Sequence, residues 1–401
     1  MTKLEQLIKE LCPNGVEYKR FDDMCDIITK QTGFDYTNTI KDSLKREKMP
    51  NSLPYIQTKF FTGKNFDYET DYYIPINVAE NYPKILLDRK CILFSIVGAS
   101  IGNVGLFSGE RKAFLGGAIC VAKPKQECNI DFLYYYLTSH QGQKQIFRKI
   151  KGAGQATVTI EDIREFQIPV PPIEVQAEIV KVLDNFTELT AELTAELTTR
   201  KKQYEYYRDL LLNFGVHKGA TSECEWRTLQ MLAEIGTGSS NTNEAVEDGQ
   251  YTFFVRSQEP LRKNNYEYDE TAIITAGDGV GVGKVFHYYE GKYALHQRAY
   301  RIHIVSSDVM PKFFFYYMKA TFYDYISKAG FHSSVSSIRR PMLNEYPVPI
   351  PPIEEQKRIV SILDRFDKLC NDISEGLPAE IEARRKQYEY YRDKLISFKE
   401  I

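Results

Sequence analysis

The chain has 401 residues, 43% of them hydrophobic and 13% aromatic, which is enough to bury two ordinary cores. Its 52 basic and 54 acidic residues leave a net charge of −2, so composition alone does not announce a nucleic-acid binder, although acidic helices can offset basic faces. Seven scattered cysteines without a CxxC pair argue against a disulfide frame or a zinc site, and no apolar run approaches the ~20 residues of a membrane-spanning helix.

Met1–Glu10 (MTKLEQLIKE) is charged throughout, unlike a signal peptide, and together with the reduced-cysteine pattern it leads us to expect a cytoplasmic chain. Residues 1–14 read as a short amphipathic helix and its exit. Residues 15–170 read as a first globular domain. Its short β-rich runs (Tyr55–Phe61, Cys91–Val97, Ala118–Lys123) are punctuated by Gly, Asn and Pro. Asp131–Arg148 reads as one helix carrying a YYY cluster, and Gly152–Thr159 as a polar loop. Ile168–Pro172 (IPVPP) must be extended, because proline fixes the backbone and restricts the residue before it.

From Ile173 the apolar residues fall at Ile179, Leu183, Phe186, Leu189, Leu193, Leu197, Tyr204, Tyr207, Leu211 and Phe214. Steps of three and four mark a coiled-coil seam, so residues 171–214 are predicted to form a long helix. Residues 215–350 form a second globular domain, and 351–401 a second long helix with Ile359, Ile362, Phe366, Leu369 and Ile373 on its seam. EGLP at 375–378 should kink or break that helix near 376–378, since Gly suits a helix end and Pro a first turn.

The chain repeats itself. Pro171–Phe214 opens PPIEVQAEIVKVLDNF and closes RKKQYEYYRDLLLNF, whereas Pro351–Phe398 opens PPIEEQKRIVSILDRF and closes RRKQYEYYRDKLISF. Fainter echoes join Val16–Ile27 to Cys224–Ile235, Ile92–Phe107 to Ile273–Phe286, and Phe132–Leu137 to Phe313–Met318. A period of about 180 residues is domain-sized rather than solenoid-sized. The predicted class is α+β: two α/β domains joined by two long antiparallel coiled-coil helices, related by a pseudo-two-fold internal repeat.

The pattern PPIE-Q-IV-LD-F leading into RKQYEYYRD resembles the specificity subunit of type I restriction-modification systems. The tandem tetrapeptide Thr190–Leu193 and Thr194–Leu197 (TAELTAEL) is similar to the type IC subgroup. The resemblance runs the whole length of the chain. It implies two target-recognition domains that each read one half of a bipartite site in double-stranded DNA, and helices that set the spacer and scaffold two methyltransferase subunits. It also implies restriction subunits that join the complex. S-adenosylmethionine, ATP and Mg would belong to those partners, and the chain itself would hold no cofactor and catalyse nothing.

The residues agree with a non-catalytic role. Gly277–Gly283 (GDGVGVG) departs from G-x-G-x-x-G, and Gly283-Lys284 is followed by Val rather than Ser or Thr. PVPP and PIPP lack the flanking residues of the D/N-P-P-Y/F motif of adenine methyltransferases. The six His show no metal spacing. Polar, basic loops that differ between the halves are the candidate DNA contacts. In the first domain these are Ser100, Asn103, Arg111, Lys112, Lys149, Lys151, Gln155 and Thr157. In the second they are Lys284, Gln297, Arg298, Lys328, His332, Ser333, Ser334, Arg339 and Arg340. Arg and Lys suit phosphate and guanine, while Gln and Asn suit adenine. Tyr204, Tyr206, Tyr207 and Arg208, with Tyr388, Tyr390, Tyr391 and Arg392, are candidate methyltransferase contacts, because Tyr and Arg are favoured interface anchors. The alternative is a non-DNA coiled-coil adaptor with two protein-binding heads.

Overall fold

The computed structural model describes residues 3–151, 156–214, 224–328, 337–372 and 374–401. Its contacts divide the chain into two units, Met1–Glu192 with Glu382–Ile401, and Leu193–Ile381. These units cut across the sequence boundaries. Each holds one sheet-bearing domain, the start of the long helix that follows it, and the end of the other long helix.

In the first unit, Cys25–Lys30, Ile119–Pro124, Cys91–Ser95 and Val104–Phe107 form an antiparallel sheet in that order. A second sheet runs Tyr73–Pro75, Ser52–Ile56, Ala113–Leu115, Leu86–Leu87, its middle pair parallel. In the other unit the corresponding strands form one six-stranded sheet: Ala233–Thr237, Ala299–Ile304, Tyr268–Ala276, Phe286–Leu295, Tyr251–Phe254, Leu261–Lys263. The difference lies in two neighbouring strands: Tyr268–Ala276 is unbroken where Leu86–Leu87 and Cys91–Ser95 are parted by three residues. Phe286–Leu295 is an unbroken ten-residue strand, whereas Val104–Phe107 and Ala113–Leu115 are parted by a five-residue loop.

In each unit an aromatic-rich helix packs on one sheet, against Cys91–Ser95 and Val104–Phe107 in the first and against Tyr268–Ala276 and Phe286–Leu295 in the other. Asp131–Arg148 is not one helix but two, Ile130–Thr138 and His140–Lys149. Ser139 takes an extended conformation between them, and its side chain caps the second by accepting from the Gly142 amide. In the other unit Pro311–Lys328 runs unbroken. Tyr55–Phe61 likewise splits into the strand Ser52–Ile56 and a 3-10 turn.

A two-stranded ribbon leads into each long helix, Tyr18–Arg20 with Gln167–Pro169, and Glu225–Thr228 with Pro347–Ile350. After the double prolines, a buried glutamine locks the helix start. Gln176 donates to the Pro171 carbonyl at 2.7 Å, and Gln356 to that of Pro351 at 2.8 Å. One turn-pair later a tyrosine of the covering helix donates to an aspartate of the long helix, Tyr135 to Asp184 and Tyr316 to Asp364.

The first long helix, Ile173–Leu211, is continuous over 39 residues. Its seam is unevenly covered: Ile179, Leu183 and Tyr204 are buried, but Leu189 is 46% exposed. The threonines of the TAEL stretch and its flanks fold their hydroxyls back onto the backbone, as Thr190 does onto the Phe186 carbonyl at 2.8 Å. The second helix is interrupted, Ile353–Asn371 then Leu377–Ile396. A Cβ on Gly376 would lie 2.5 Å from the Lys368 carbonyl oxygen, so only glycine fits the turn. Ile373 lies outside the described residues. No helix among the described residues is long and apolar enough to cross a membrane.

Candidate nucleic-acid interface

One loop recurs in both units with the same backbone. It follows Cys91–Ser95 in the first unit and Tyr268–Ala276 in the other. Gly98 (φ 90°) and Gly102 (φ 89°) match Gly279 (φ 80°) and Gly283 (φ 68°), four residues apart each time. The Ile101 amide donates to the Gly98 carbonyl and that of Val282 to Gly279; Asn103 donates to Ser100 and Lys284 to Gly281. Left-handed conformations explain the glycines. Space around Gly98 and Gly279 is open.

The same two neighbours hold this loop in both units. Ile96 donates to the Ala118 carbonyl at 3.0 Å and Gly277 to that of Arg298 at 2.8 Å. Val158 donates to Ile96 at 3.1 Å, and Ile338 to Gly277 at 2.7 Å. Isolated bridges Val97–Thr157 and Asp278–Ser337 complete the match. The framework is shared and the side chains it presents are not.

In the second unit this convergence gathers charge. Asp278 accepts from Arg256 at 2.8 Å and from Arg298 at 2.9 Å. Burial tends to raise the Asp278 carboxyl, but the two guanidiniums outweigh it and hold the group below the usual Asp range. The Arg298 amide donates to His296 Nδ1 at 3.0 Å, and burial lowers that imidazole, in keeping with a neutral acceptor. Lys284 is exposed beside the loop, and Val280 at its tip is 97% exposed. Gly283 rests on Tyr323 and Ile326, which places the exposed Lys328 at the adjoining helix end. Arg339 and Arg340 follow Ile338, with Arg340 donating to the Ile235 carbonyl. Gln297 donates to Asn241.

The first unit's convergence is nearly uncharged. Ser100 shares a hydrogen bond with Ser95 at 2.9 Å, Asn103 is exposed, and Thr157 exchanges backbone hydrogen bonds with Lys151. Lys149 and Lys151 are ion-paired, to Glu165 at 2.6 Å and to Asp162 at 3.4 Å, so they are not free cations. Arg111 and Lys112 do not join this set. Their loop packs Gly109 against Arg89 and Lys90, at the opposite end of Cys91–Ser95, and Arg111 lies over the Tyr68 ring at 5.6 Å. Gln155, His332, Ser333 and Ser334 lie outside the described residues.

The tyrosine repeats pack inside the units. Phe186 stacks on Tyr391 at 5.5 Å in the first unit and Phe366 on Tyr207 at 5.8 Å in the second. Tyr388 meets Tyr135 and Tyr204 meets Phe366, each with its own arginine, Arg392 or Arg208, over the ring. Burial pushes Tyr204 up to about 12. Tyr206 and Tyr390 differ from the rest, at 65% and 60% exposed.

The model of the type I restriction modification DNA specificity domain matches this chain twice, over residues 13–200 and 222–383. The chain belongs to the type I restriction-modification DNA specificity family. It is 37% identical over 269 residues to the specificity subunit of the Escherichia coli enzyme EcoR124I/EcoR124II, a match spanning 60% of this chain and 65% of that one. A Haemophilus influenzae protein named as a type I restriction enzyme specificity subunit is 31% identical across 99% of this chain and 98% of its own. Among solved structures, the S subunit of the system from M. genitalium aligns over 96% of this chain and 97% of its own, with a TM-score of 0.58 at 16% identity. A structure described as bearing on assembly and conformational transition of the type I system aligns over 96% and 98%, at 0.60 and 17%. At such identities these two establish the fold alone.

Members of the specificity family recognise DNA and are not catalytic. Within this one, sequence reasoning missed Arg256 and Asp278, which reach Arg298 from loops 42 and 20 residues away. It also missed a cleft of about 730 Å³ in the first unit, lined by Lys30, Gln31, Tyr36, Lys41 and Tyr55 among others. Gln31 is buried there, accepts from the Tyr55 hydroxyl at 2.9 Å and sits beside Gly117. No local motif marks these residues. Among them Asp278 alone lies in a segment that the repeat pairs, Ile273–Phe286 with Ile92–Phe107.

Proposed function

We propose that this chain is the DNA-reading and scaffolding subunit of a type I restriction-modification complex. Each sheet-bearing domain reads one half of a bipartite site in double-stranded DNA. One observation carries this reading: the same glycine loop, held by the same two neighbours, presents Val97, Ala99, Asn103 and Ala118 in one unit, but Asp278, Val280, Lys284 and Arg298 in the other. A shared backbone with divergent side chains is what two readers of different sequences require.

The rest follows from the helices. A continuous helix rises about 1.5 Å per residue, so its length sets the number of unread base pairs between the half-sites. Two methyltransferase subunits dock on the repeats RKKQYEYYRD and RRKQYEYYRD. Of the eight candidate contacts, Tyr206 and Tyr390 are the best placed, because they are the most exposed of the tyrosines while the others pack on Phe186, Phe366 or Tyr135. Restriction subunits join that complex in the cytoplasm. S-adenosylmethionine, ATP and Mg are held by the partners.

Titration of duplex DNA with the chain bound to its methyltransferase partner tests the reading. Binding should weaken steeply as salt rises, because phosphate contacts release counterions. Salt-independent association, or none, would favour a protein-binding adaptor. Tyr206→Ala together with Tyr390→Ala should weaken capture of the methyltransferase subunits while leaving the thermal transition in place.

A further inference from the structure

Arg256, Asp278 and Arg298 come from three separate loops and meet at one carboxylate. Asp278 Oδ1 accepts from Arg256 Nη1 and Oδ2 from Arg298 Nη1, at 2.8 and 2.9 Å. Each guanidinium spends one nitrogen in this way. Among the described residues no other side-chain partner engages either group, so Nη2 and Nε of both stay available. The Asp278 side chain is largely covered, at 22% exposed, whereas those of Arg256 and Arg298 are 43% and 63% exposed. The arrangement is a carboxylate base under two outward forks.

The backbone behind it is stiff. Arg298 sits in a short connection between strands, with its amide on His296 Nδ1 and its carbonyl on the Gly277 amide. Arg256 is held close as well: a Cβ on Gly281 would stand 2.5 Å from its carbonyl oxygen. The loop bearing Asp278 bridges to Ser337. A long side chain anchored at both its backbone and one guanidinium nitrogen loses little freedom on binding, which favours directional recognition over loose charge attraction.

We infer that Arg298, held in register with Arg256 by Asp278, is a specificity-determining residue of the second domain, and that it reads guanine. A guanidinium offers two parallel donors, and in the major groove guanine O6 and N7 are the base-edge acceptors that match them. Phosphate would accept the same donors, but a contact to phosphate carries no sequence information. The fixed pair geometry favours the base edge. The inference rests on the DNA-reading function proposed above. It also states an asymmetry: the shared framework puts Val97 and Ala118 where the second unit has Asp278 and Arg298. The first half-site is therefore read without this fork.

The test uses the full chain co-expressed with its methyltransferase partner, and maps modified adenines in the host DNA. Wild type is compared with Arg298→Ala, Arg298→Lys and Asp278→Asn. Arg298→Lys preserves an ion pair to Asp278 but loses the fork. It should relax discrimination at one G·C pair, on the order of tenfold to a hundredfold, in one half-site only. Arg298→Ala should do the same with weaker overall modification. Asp278→Asn removes a negative charge, so it should keep or raise DNA affinity while relaxing the same position. The other half-site and the spacer serve as internal controls and should not change. Unaltered motifs in the Arg298→Lys protein, relaxation in both halves together, or a wild-type motif with no G·C pair would overturn the inference. A wild-type complex that modifies nothing would instead count against the proposed function itself.

Discussion

At the scale of single residues, the two halves keep the same buried polar devices and use them unequally. Gln356 is fully buried: its amide donates to the Pro351 and Asp308 carbonyls and accepts from the Met310 amide, all within 2.8 Å. Among the described residues Gln176 makes only the first of these contacts. Truncation leaves buried partners unpaired at about 1–3 kcal/mol each. Gln356→Ala should therefore cost about 3 kcal/mol or more and Gln176→Ala about 1–2 kcal/mol, read from urea unfolding. Equal losses would mean that the extra bonds of Gln356 contribute nothing. Asp162 gives a pH dependence. Burial raises it, but hydrogen bonds from Thr159 and Lys151 prevail and hold it below the ordinary Asp value of 3.8. A depressed carboxyl stabilises the fold above that value and ceases to do so as pH falls through its folded pKa. The stability gap between wild type and Asp162→Asn should therefore be present at pH 7 and shrink towards pH 3. Both glutamines were visible in the sequence as the Q of the repeated PPIE-Q pattern, the fourth residue after each double proline, but their burial and bonds were not. Burial is a tertiary property and the local pattern does not encode it.

At the scale of elements, the long helices were the most legible part, because apolar steps of three and four are read directly from the chain. Their breaks were legible in part. EGLP forecast an interruption, and the helices end and begin at Asn371 and Leu377. Gly376→Ala should cost about 1–3 kcal/mol, since its Cβ has no room beside the Lys368 carbonyl; an unchanged unfolding midpoint would show that the turn relaxes freely. The interruption at Ser139 was not legible, because a lone serine in an aromatic helix looks the same whether it caps or lines a face. The TAEL pair lies where the helix is least covered, with Leu189 exposed beside it. Adding or deleting one tetrapeptide changes the helix by about 6 Å and keeps the seam nearly in phase. The change exceeds the rise of one base pair, about 3.4 Å, and falls short of the about 6.8 Å of two, so a spacer change of one whole base pair is expected with both half-sites intact. Mapping the modified sites of such variants checks this, and an unchanged spacer would contradict it.

At the scale of the whole molecule, the duplication is the organising fact. Its conserved part, helix repeats and glycine loops, was visible by internal comparison. The part that differs was not: which loops meet depends on sheet pairing across more than a hundred residues, as with Glu225 and Ile350. That is why Arg111 and Lys112 looked equivalent to Asn103 in sequence and stand at the far end of a strand from it. The most direct measurement is base-modification sequencing of host DNA after co-expressing the chain with its methyltransferase partner. The expected result is one split motif with a modified adenine in each half and a fixed spacer between them. A stable complex that leaves no new modification, or a continuous motif without a spacer, would contradict the reading of two domains as two half-site readers.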